Sequence, residues 1–99
     1  MSVRAALVAY DLHIPESRSL KAKRAAIKPI IEGARHRFSV SVAEVEHQDQ
    51  WQRSVIAVAA VASSGGHLDN ILSSVDRFVW SHPGIEVLST ERSWLDGEA

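Results

Sequence analysis

Two kinds of hydrophobic spacing alternate along this chain, and their order predicts how it folds. Apolar residues recur at every second position in residues 3–14, 38–46 and 85–89, as in strands with one buried face. Residues 53–62 are almost wholly apolar, which is typical of a strand covered on both faces. The pattern therefore predicts four strands, the last of them ending at Ser89.

Spacings of three and four residues, typical of helices, occupy two of the gaps between these strands. The first predicted helix covers about residues 19 to 37, with Ser17 or Ser19 as its N-cap. Pro29 lies inside it, so one bent helix is expected. The second helix follows the turn at residues 63–66 and ends at residues 82–84, His-Pro-Gly.

The resulting order, βαββαβ, predicts an α+β fold of the ferredoxin-like type. Right-handed crossovers of its two halves give a four-stranded antiparallel sheet with both helices on one face. Strands one and three are central in that topology. We expect residues 1–99 to form a single domain, with an acidic C-terminal tail from about residue 93.

The third strand predicts an apolar surface that must be buried against another part of the chain or another molecule. Its side chains are apolar on both faces, and only one face can meet the helices. The other face must then be covered by the tail, by a second copy or by another partner, because large exposed apolar patches are unusual on monomers. We predict a homodimer through this second sheet face, with a monomer covered by its own tail as the alternative.

Composition narrows the function classes. The chain has no cysteine, which excludes disulfides, thiolate nucleophiles and thiolate metal sites. No segment is apolar over the length of a membrane span, and the start lacks the pattern of a signal peptide. A cytoplasmic protein with no membrane association is therefore expected.

Charge is distributed unevenly, although the formal net charge is only −1. Seven of the eleven basic residues lie between Arg18 and Arg37, where Glu32 alone opposes them. Cations near a helix N-terminus cost about 0.3–1 kcal/mol each, so stability alone does not explain the cluster. It favours binding of an anion or nucleic acid by Arg18, Lys21, Lys23, Arg24, Lys28 and Arg35. The alternative is that their aliphatic stems simply cover the core.

A second candidate lies in the polar loop between the second and third strands. Trp51 is a large aromatic residue among polar neighbours, so it must pack on its own sheet or on another chain. We predict that Trp51 and Arg53 contact a protein partner.

Catalytic and metal sites are not indicated. Acylphosphatases share this size and topology, but here the loop after the first strand, residues 14–19, has no glycine for a phosphate cradle. The five histidines show no close metal-ligand spacing, and no cofactor is predicted. Glu44 and Glu46 are expected on the same side of the second strand, where they could form a pair of acids. Solvated carboxylates on an edge strand explain them equally well.

Three ordered segments resemble the YlxP-like family of small bacterial proteins of unknown function. They are Ser19-Leu20-Lys21-Ala22-Lys23-Arg24, Phe38-Ser39-Val40-Ser41-Val42-Ala43-Glu44-Val45 and Asp49-Gln50-Trp51-Gln52-Arg53. The resemblance extends over nearly the whole chain and implies a ferredoxin-like fold. The family's genes often lie among genes for translation initiation and ribosome maturation, which implies a link to RNA or the ribosome. It implies no catalytic residue.

The sequence thus predicts a non-enzymatic accessory protein that contacts RNA or a ribosomal particle through its basic first helix. The rival hypothesis is a protein-interaction module, in which the same helix and the Trp51 loop bind an acidic partner. A third reading, a small-molecule enzyme that uses the open sheet face, needs a closed polar pocket that the sequence does not indicate.

Overall fold

The predicted order of elements is confirmed by a computed structural model, which describes the backbone of residues 2–98 and the side chains of residues 2–95. Both helices and all four strands occur in the sequence βαββαβ. Their bounds are β1 (Ser2–His13), α1 (Leu20–Phe38), β2 (Ser41–Glu46), β3 (Arg53–Ala62), α2 (Gly65–Trp80) and β4 (Glu86–Glu98).

The four strands form one antiparallel sheet in the order β2-β3-β1-β4, which makes the protein a ferredoxin-like plait. The central strand β1 pairs with β3 from Arg4 to His13 and with β4 from Ser2 to His13. Both helices pack on one face, where alternate residues of β1 and β3 are buried. The core consists of Ala6, Val8, Tyr10, Leu12, Ile14, Ile27, Ile30, Ala34, Val40, Val42, Ile56, Val58, Ala60, Leu68, Leu72, Val75 and Val79.

The last strand is much longer than the sequence pattern predicts. β4 does not end at Ser89 but continues to Glu98, so the predicted acidic tail is the second half of a strand. Of that tail, Ala99 and the side chains of residues 96–98 lie outside the described part of the chain. Residues 88–95 are exposed, and the alternation that marks a strand with a buried face is therefore missing. The extension is explained by pairing with β1, because every residue from Ser2 to His13 has a partner on β4. A shorter β4 would leave backbone groups of β1 without hydrogen bonds.

Both helices begin at serine caps and end where their spacing predicts. The Ser19 hydroxyl accepts a hydrogen bond from the Ala22 amide at 2.9 Å, and Ser64 does the same for His67 at 3.2 Å. α1 runs unbroken through Pro29, as expected for a single helix. Gly33 allows the close approach of α2, because a Cβ there would lie 2.4 Å from Cζ of Phe78.

One buried polar group links β1 to α2 and β4. The Tyr10 hydroxyl donates a hydrogen bond to Asp76 on α2, and Arg92 on β4 pairs with the same carboxylate. Burial, followed by the hydrogen bond to Asp76, raises the pKa of Tyr10 well above its ordinary value. The folded protein therefore holds this proton more tightly than the unfolded chain does.

We expect stability to fall as the pH rises above about 10, where the tyrosine of the unfolded chain ionises. Tyr10 is the single tyrosine of the chain, so phenolate absorbance reports on this residue alone. In an alkaline titration, phenolate absorbance should appear together with the loss of helical circular dichroism. Tyr10→Phe should be less stable at pH 7 but lose less stability on going to alkaline pH. Phenolate formation in a protein that remains folded would contradict this linkage.

Candidate functional site

Five of the six predicted anion-binding residues are exposed on α1 and its entry loop. They are Arg18, Lys21, Arg24, Lys28 and Arg35. Positions 21, 24 and 28 are separated by three and four residues, so their side chains lie on one side of the helix. Among the described side chains, no carboxylate lies within ion-pair distance of these three. Among the described residues, these three cations are therefore exposed without a direct ion pair.

A shallow groove of about 290 Å³ runs between α1 and the edge strand β2. Arg24, Lys28 and Arg35 line it together, and Glu32 and Glu44 add two carboxylates. Arg35 is exposed, but its guanidinium also donates to the carbonyl of Val42 on β2. The predicted grouping of these three basic residues is therefore present, with Arg35 fixed against the strand.

Lys23 was wrongly predicted as an anion-binding residue, because its side chain is fully buried. Its Nζ atom lies 2.9 Å from a carboxylate oxygen of Glu44 and donates to the carbonyl of His47 at 2.7 Å. It also donates to the carbonyls of Gln48 at 3.1 Å and Arg53 at 3.3 Å. The ammonium group is thus surrounded by oxygens of its own chain, and no external anion can reach it.

The sequence did contain a signal for this pair. Lys23 occupies the apolar register of α1, three residues after Leu20 and four before Ile27. Glu44 occupies the inward register of β2, two residues after the buried Val42. A lysine and a glutamate that each interrupt an apolar register can compensate each other's burial if they meet. The prediction grouped Lys23 with its basic neighbours by charge alone and therefore missed the pair.

Glu46 does not share the side of Glu44, contrary to the sequence prediction. The register of β2 against β3 shifts between these two residues, with Glu44 opposite Ile56 and Glu46 opposite Val55. Because successive residues of β3 point to opposite faces, the extra residue in β2 separates the two carboxylates. They do not form an acid pair.

The loop between β2 and β3 is tied to the start of α1 by side-chain hydrogen bonds. Lys23 binds two of its carbonyls, as described above, and His47 adopts a left-handed conformation with φ 62° there. The amide of Gln52 donates to the carbonyls of Pro15 and Ser17, both at 3.2 Å. The loop that carries Trp51 therefore lies beside the entry loop of the basic helix.

Trp51 borders an open concavity of about 630 Å³ and is 54% exposed. His13, Arg53 and Leu88 from three strands also line this concavity, with Gln50 and Gln52 from the loop. Arg53 donates to both carboxylate oxygens of Asp11 at 2.7 and 2.9 Å. The structure thus brings together the two predicted contact residues, Trp51 and Arg53. It places them on the side of the sheet that faces away from the helices, because His13 and Arg53 are directly opposed and alternate with buried Leu12 and Ser54.

A metal-binding cluster and a membrane-spanning helix are both absent from the described part of the chain. Among its side chains, no group of three or more histidine, aspartate or glutamate residues is arranged to hold a metal ion. No helix within residues 2–98 combines the length and the hydrophobicity that crossing a membrane requires.

Comparison with known proteins decides the family. A model of the family described as "Protein of unknown function (DUF503)" matches residues 5–92. The chain belongs to the DUF503 family. A relative in Bacillus subtilis (strain 168), the "Uncharacterized protein YlxP", is 40% identical over 82 residues, which cover 83% of this chain and 89% of that protein. The resemblance seen in the sequence is therefore confirmed.

The DUF503 chain also resembles a solved structure, the "De novo designed protein Foldit4". The TM-score is 0.52 at 13% identity, with 97% of this chain and 98% of the designed chain covered. At this identity the likeness shows a shared fold and carries no information about function.

We predict that the buried pair is structural. Lys23→Met leaves the partly buried carboxylate of Glu44 without its cation, so the free energy of unfolding should fall by about 3 kcal/mol. Urea denaturation followed by circular dichroism measures this change. The exposed Lys21→Met is the matched control and should cost little. Lys23→Met/Glu44→Gln should recover part of the loss, because no unpaired charge remains. A Lys23→Met variant as stable as Lys21→Met would contradict this role.

Proposed function

We propose that this protein is a non-enzymatic accessory factor that contacts RNA through the basic surface of α1. The observation that carries the proposal is the absence of internal ion-pair partners for Lys21, Arg24 and Lys28 among the described side chains. Arg18 adds a fourth exposed cation at the entry to the helix. The phosphate backbone of RNA carries regularly spaced charges that such a surface can neutralise.

The dimensions of the surface support contact with several phosphates along one strand. The helical rise of 1.5 Å per residue places Lys21 and Lys28 about 10 Å apart along the axis. Arg24 lies between them, and Arg35 extends the same side toward the C-terminal end of the helix. The start of α1 has no acidic residue in its first turn, so its unpaired amide groups add to the positive potential.

This mode of binding has little means of reading bases. RNA-recognition domains with this topology stack bases on aromatic side chains of their central strands. Here the only aromatic residue of β1 and β3 is Tyr10, which is buried beneath the helices and bonded to Asp76. Contacts from α1 reach phosphates, and such contacts position a nucleic acid without specifying its sequence. We therefore expect the protein to bind RNA with little preference for base sequence.

Salt dependence provides the first test. If Arg18, Lys21, Arg24 and Lys28 each neutralise one phosphate, log K should fall against log salt concentration with a slope of about −3. Fluorescence anisotropy with an unstructured RNA of mixed sequence measures the slope. Lys28→Gln should reduce its magnitude by about 0.7, and the triple variant Lys21→Gln/Arg24→Gln/Lys28→Gln should abolish most of the binding.

Arg77→Gln is the matched control for these variants. Arg77 is a basic residue on the exposed side of α2, so its replacement removes the same charge from a different surface. Its affinity and slope should equal those of the unmodified protein. Absence of RNA binding at low salt would refute the proposal, and so would an equal effect of Arg77→Gln and Lys28→Gln.

A second candidate function is binding of an acidic protein partner. The observation that favours it is Trp51, which is more than half exposed at the border of an open concavity of about 630 Å³, on a loop fixed by hydrogen bonds to the start of α1. Exposed tryptophans that fill a partner's pocket are often dominant contact residues. The loop lies next to the start of α1, so one partner could contact Trp51 and the basic residues together.

Trp51→Ala separates the two functions because it leaves every basic residue in place. If a protein is the partner, its affinity should fall by about 2 kcal/mol or more, whereas RNA affinity should not change. Protein capture at low salt after ribonuclease treatment, in parallel with RNA anisotropy, measures both quantities. Retention of the same captured protein by Trp51→Ala would exclude the tryptophan as its anchor.

A further inference from the structure

The sheet face that turns away from the helices carries a continuous apolar strip along the two central strands. Leu7 is 56% exposed on β1 and Val61 is 71% exposed on β3. The positions beside and between them are alanines, Val55 follows toward one end, and no charged residue of these two strands interrupts the face before Asp11 and Arg53 at that end. Leu95, 70% exposed, extends the strip onto β4 opposite Ala5. Such a strip is unfavourable in water unless another surface covers it.

The area of this face is sufficient for a stable interface. β4, β1 and β3 run side by side over ten residues, a length of about 33 Å, whereas β2 adds only six residues, about 20 Å. At about 4.8 Å per strand the face measures about 570 Å² for each molecule, so two such faces in contact remove about 1,140 Å² from water. A specific interface is expected to exceed about 1,000 Å².

We propose that a second copy of this chain covers the face, with β1 of one molecule lying over β3 of the other. The strand register supplies the argument. Leu7 is directly opposite Ala59, and Val61 is directly opposite Ala5. A two-fold axis that runs parallel to the strands, between the two sheets and midway between β1 and β3, places β1 of each copy over β3 of the other. Leu7 of each copy then lies over Ala59 of the other, and Val61 lies over Ala5.

The polar groups of the face are compatible with this contact. Asp11 and Arg53 form their ion pair within one molecule, so the second copy does not have to neutralise either charge. Ser89, Glu91 and Ser93 lie along β4 at the margin, where an interface has its polar rim. A partner chosen by charge would gain little here, whereas a copy with the same alternation of large and small residues gains shape complementarity.

The arrangement would leave the helices of both copies on the outside. Two packed sheets lie about 10 Å apart, with α1 and α2 of each copy facing outward. The basic surface of α1 therefore stays accessible in the dimer. The dimer does not depend on RNA binding, and RNA binding by a single copy does not require it.

Light scattering coupled to size exclusion tests the proposal at several protein concentrations. The unmodified chain of 10.9 kDa should elute with twice that mass at high concentration. Leu7→Lys and Ala59→Glu each place a charge in the contact, so each variant alone should have the mass of one chain. Trp80→Lys is the matched control, because it places the same charge at an exposed apolar residue of α2 and should leave the mass doubled.

Mixing Leu7→Lys with Ala59→Glu tests the arrangement itself. In the proposed dimer the introduced lysine of one chain lies over the introduced glutamate of the other, and the second contact keeps its native leucine and alanine. The mixture should therefore recover the doubled mass. Circular dichroism verifies that each variant is folded.

Three results would overturn the proposal. They are an unmodified chain that stays monomeric at high concentration, a folded Leu7→Lys variant that remains dimeric, and a mixture that fails to associate. Association of a monomeric unmodified chain with a different protein through this face would likewise show that the occupant is not a second copy.

Discussion

A single buried ammonium group holds together the end of the molecule that carries the candidate sites. Lys23 on α1 pairs with Glu44 on β2 and binds carbonyls on either side of the connecting loop. Removal of two charges from water costs several kcal/mol, so the pair adds little net stability compared with apolar residues. Its effect is on geometry, because the charges are satisfied in only one arrangement of helix, strand and loop. The position of Trp51 follows from that arrangement.

The two sides of the molecule have different chemical characters, and the fold explains why. The exposed side of α1 carries Lys21, Arg24 and Lys28, which have no ion-pair partners among the described side chains, whereas the open sheet face is apolar along β1 and β3. A plait with both helices on one face keeps these surfaces apart. Each can therefore bind a different kind of partner without competition. The proposals assign RNA to the charged side and a second copy to the apolar side.

Neither family membership nor fold identifies the function of this protein. The DUF503 match and the relative named YlxP establish descent, but neither description names an activity. The likeness to a designed protein at 13% identity shows a shared fold and carries no information about function. A functional argument must therefore come from particular side chains. Lys21 and Lys23 illustrate this point, because they are only two residues apart and yet one is exposed to solvent and the other is buried.

The sequence by itself determined the order of elements, the two apolar faces of β3 and the basic character of α1. The first two features follow from the spacing of side chains along a helix or strand, and the third follows from local composition. None of them depends on which distant residues are adjacent in the fold. The tertiary structure decided the burial of Lys23, the shift that separates Glu44 from Glu46 and the extension of β4 to Glu98. Each depends on a distant segment of the chain. Lys23 is buried against a carboxylate 21 residues later, Glu44 and Glu46 are separated by the pairing of β2 with β3, and β4 is extended by its pairing with β1. Local periodicity contains no information about which distant group will be adjacent.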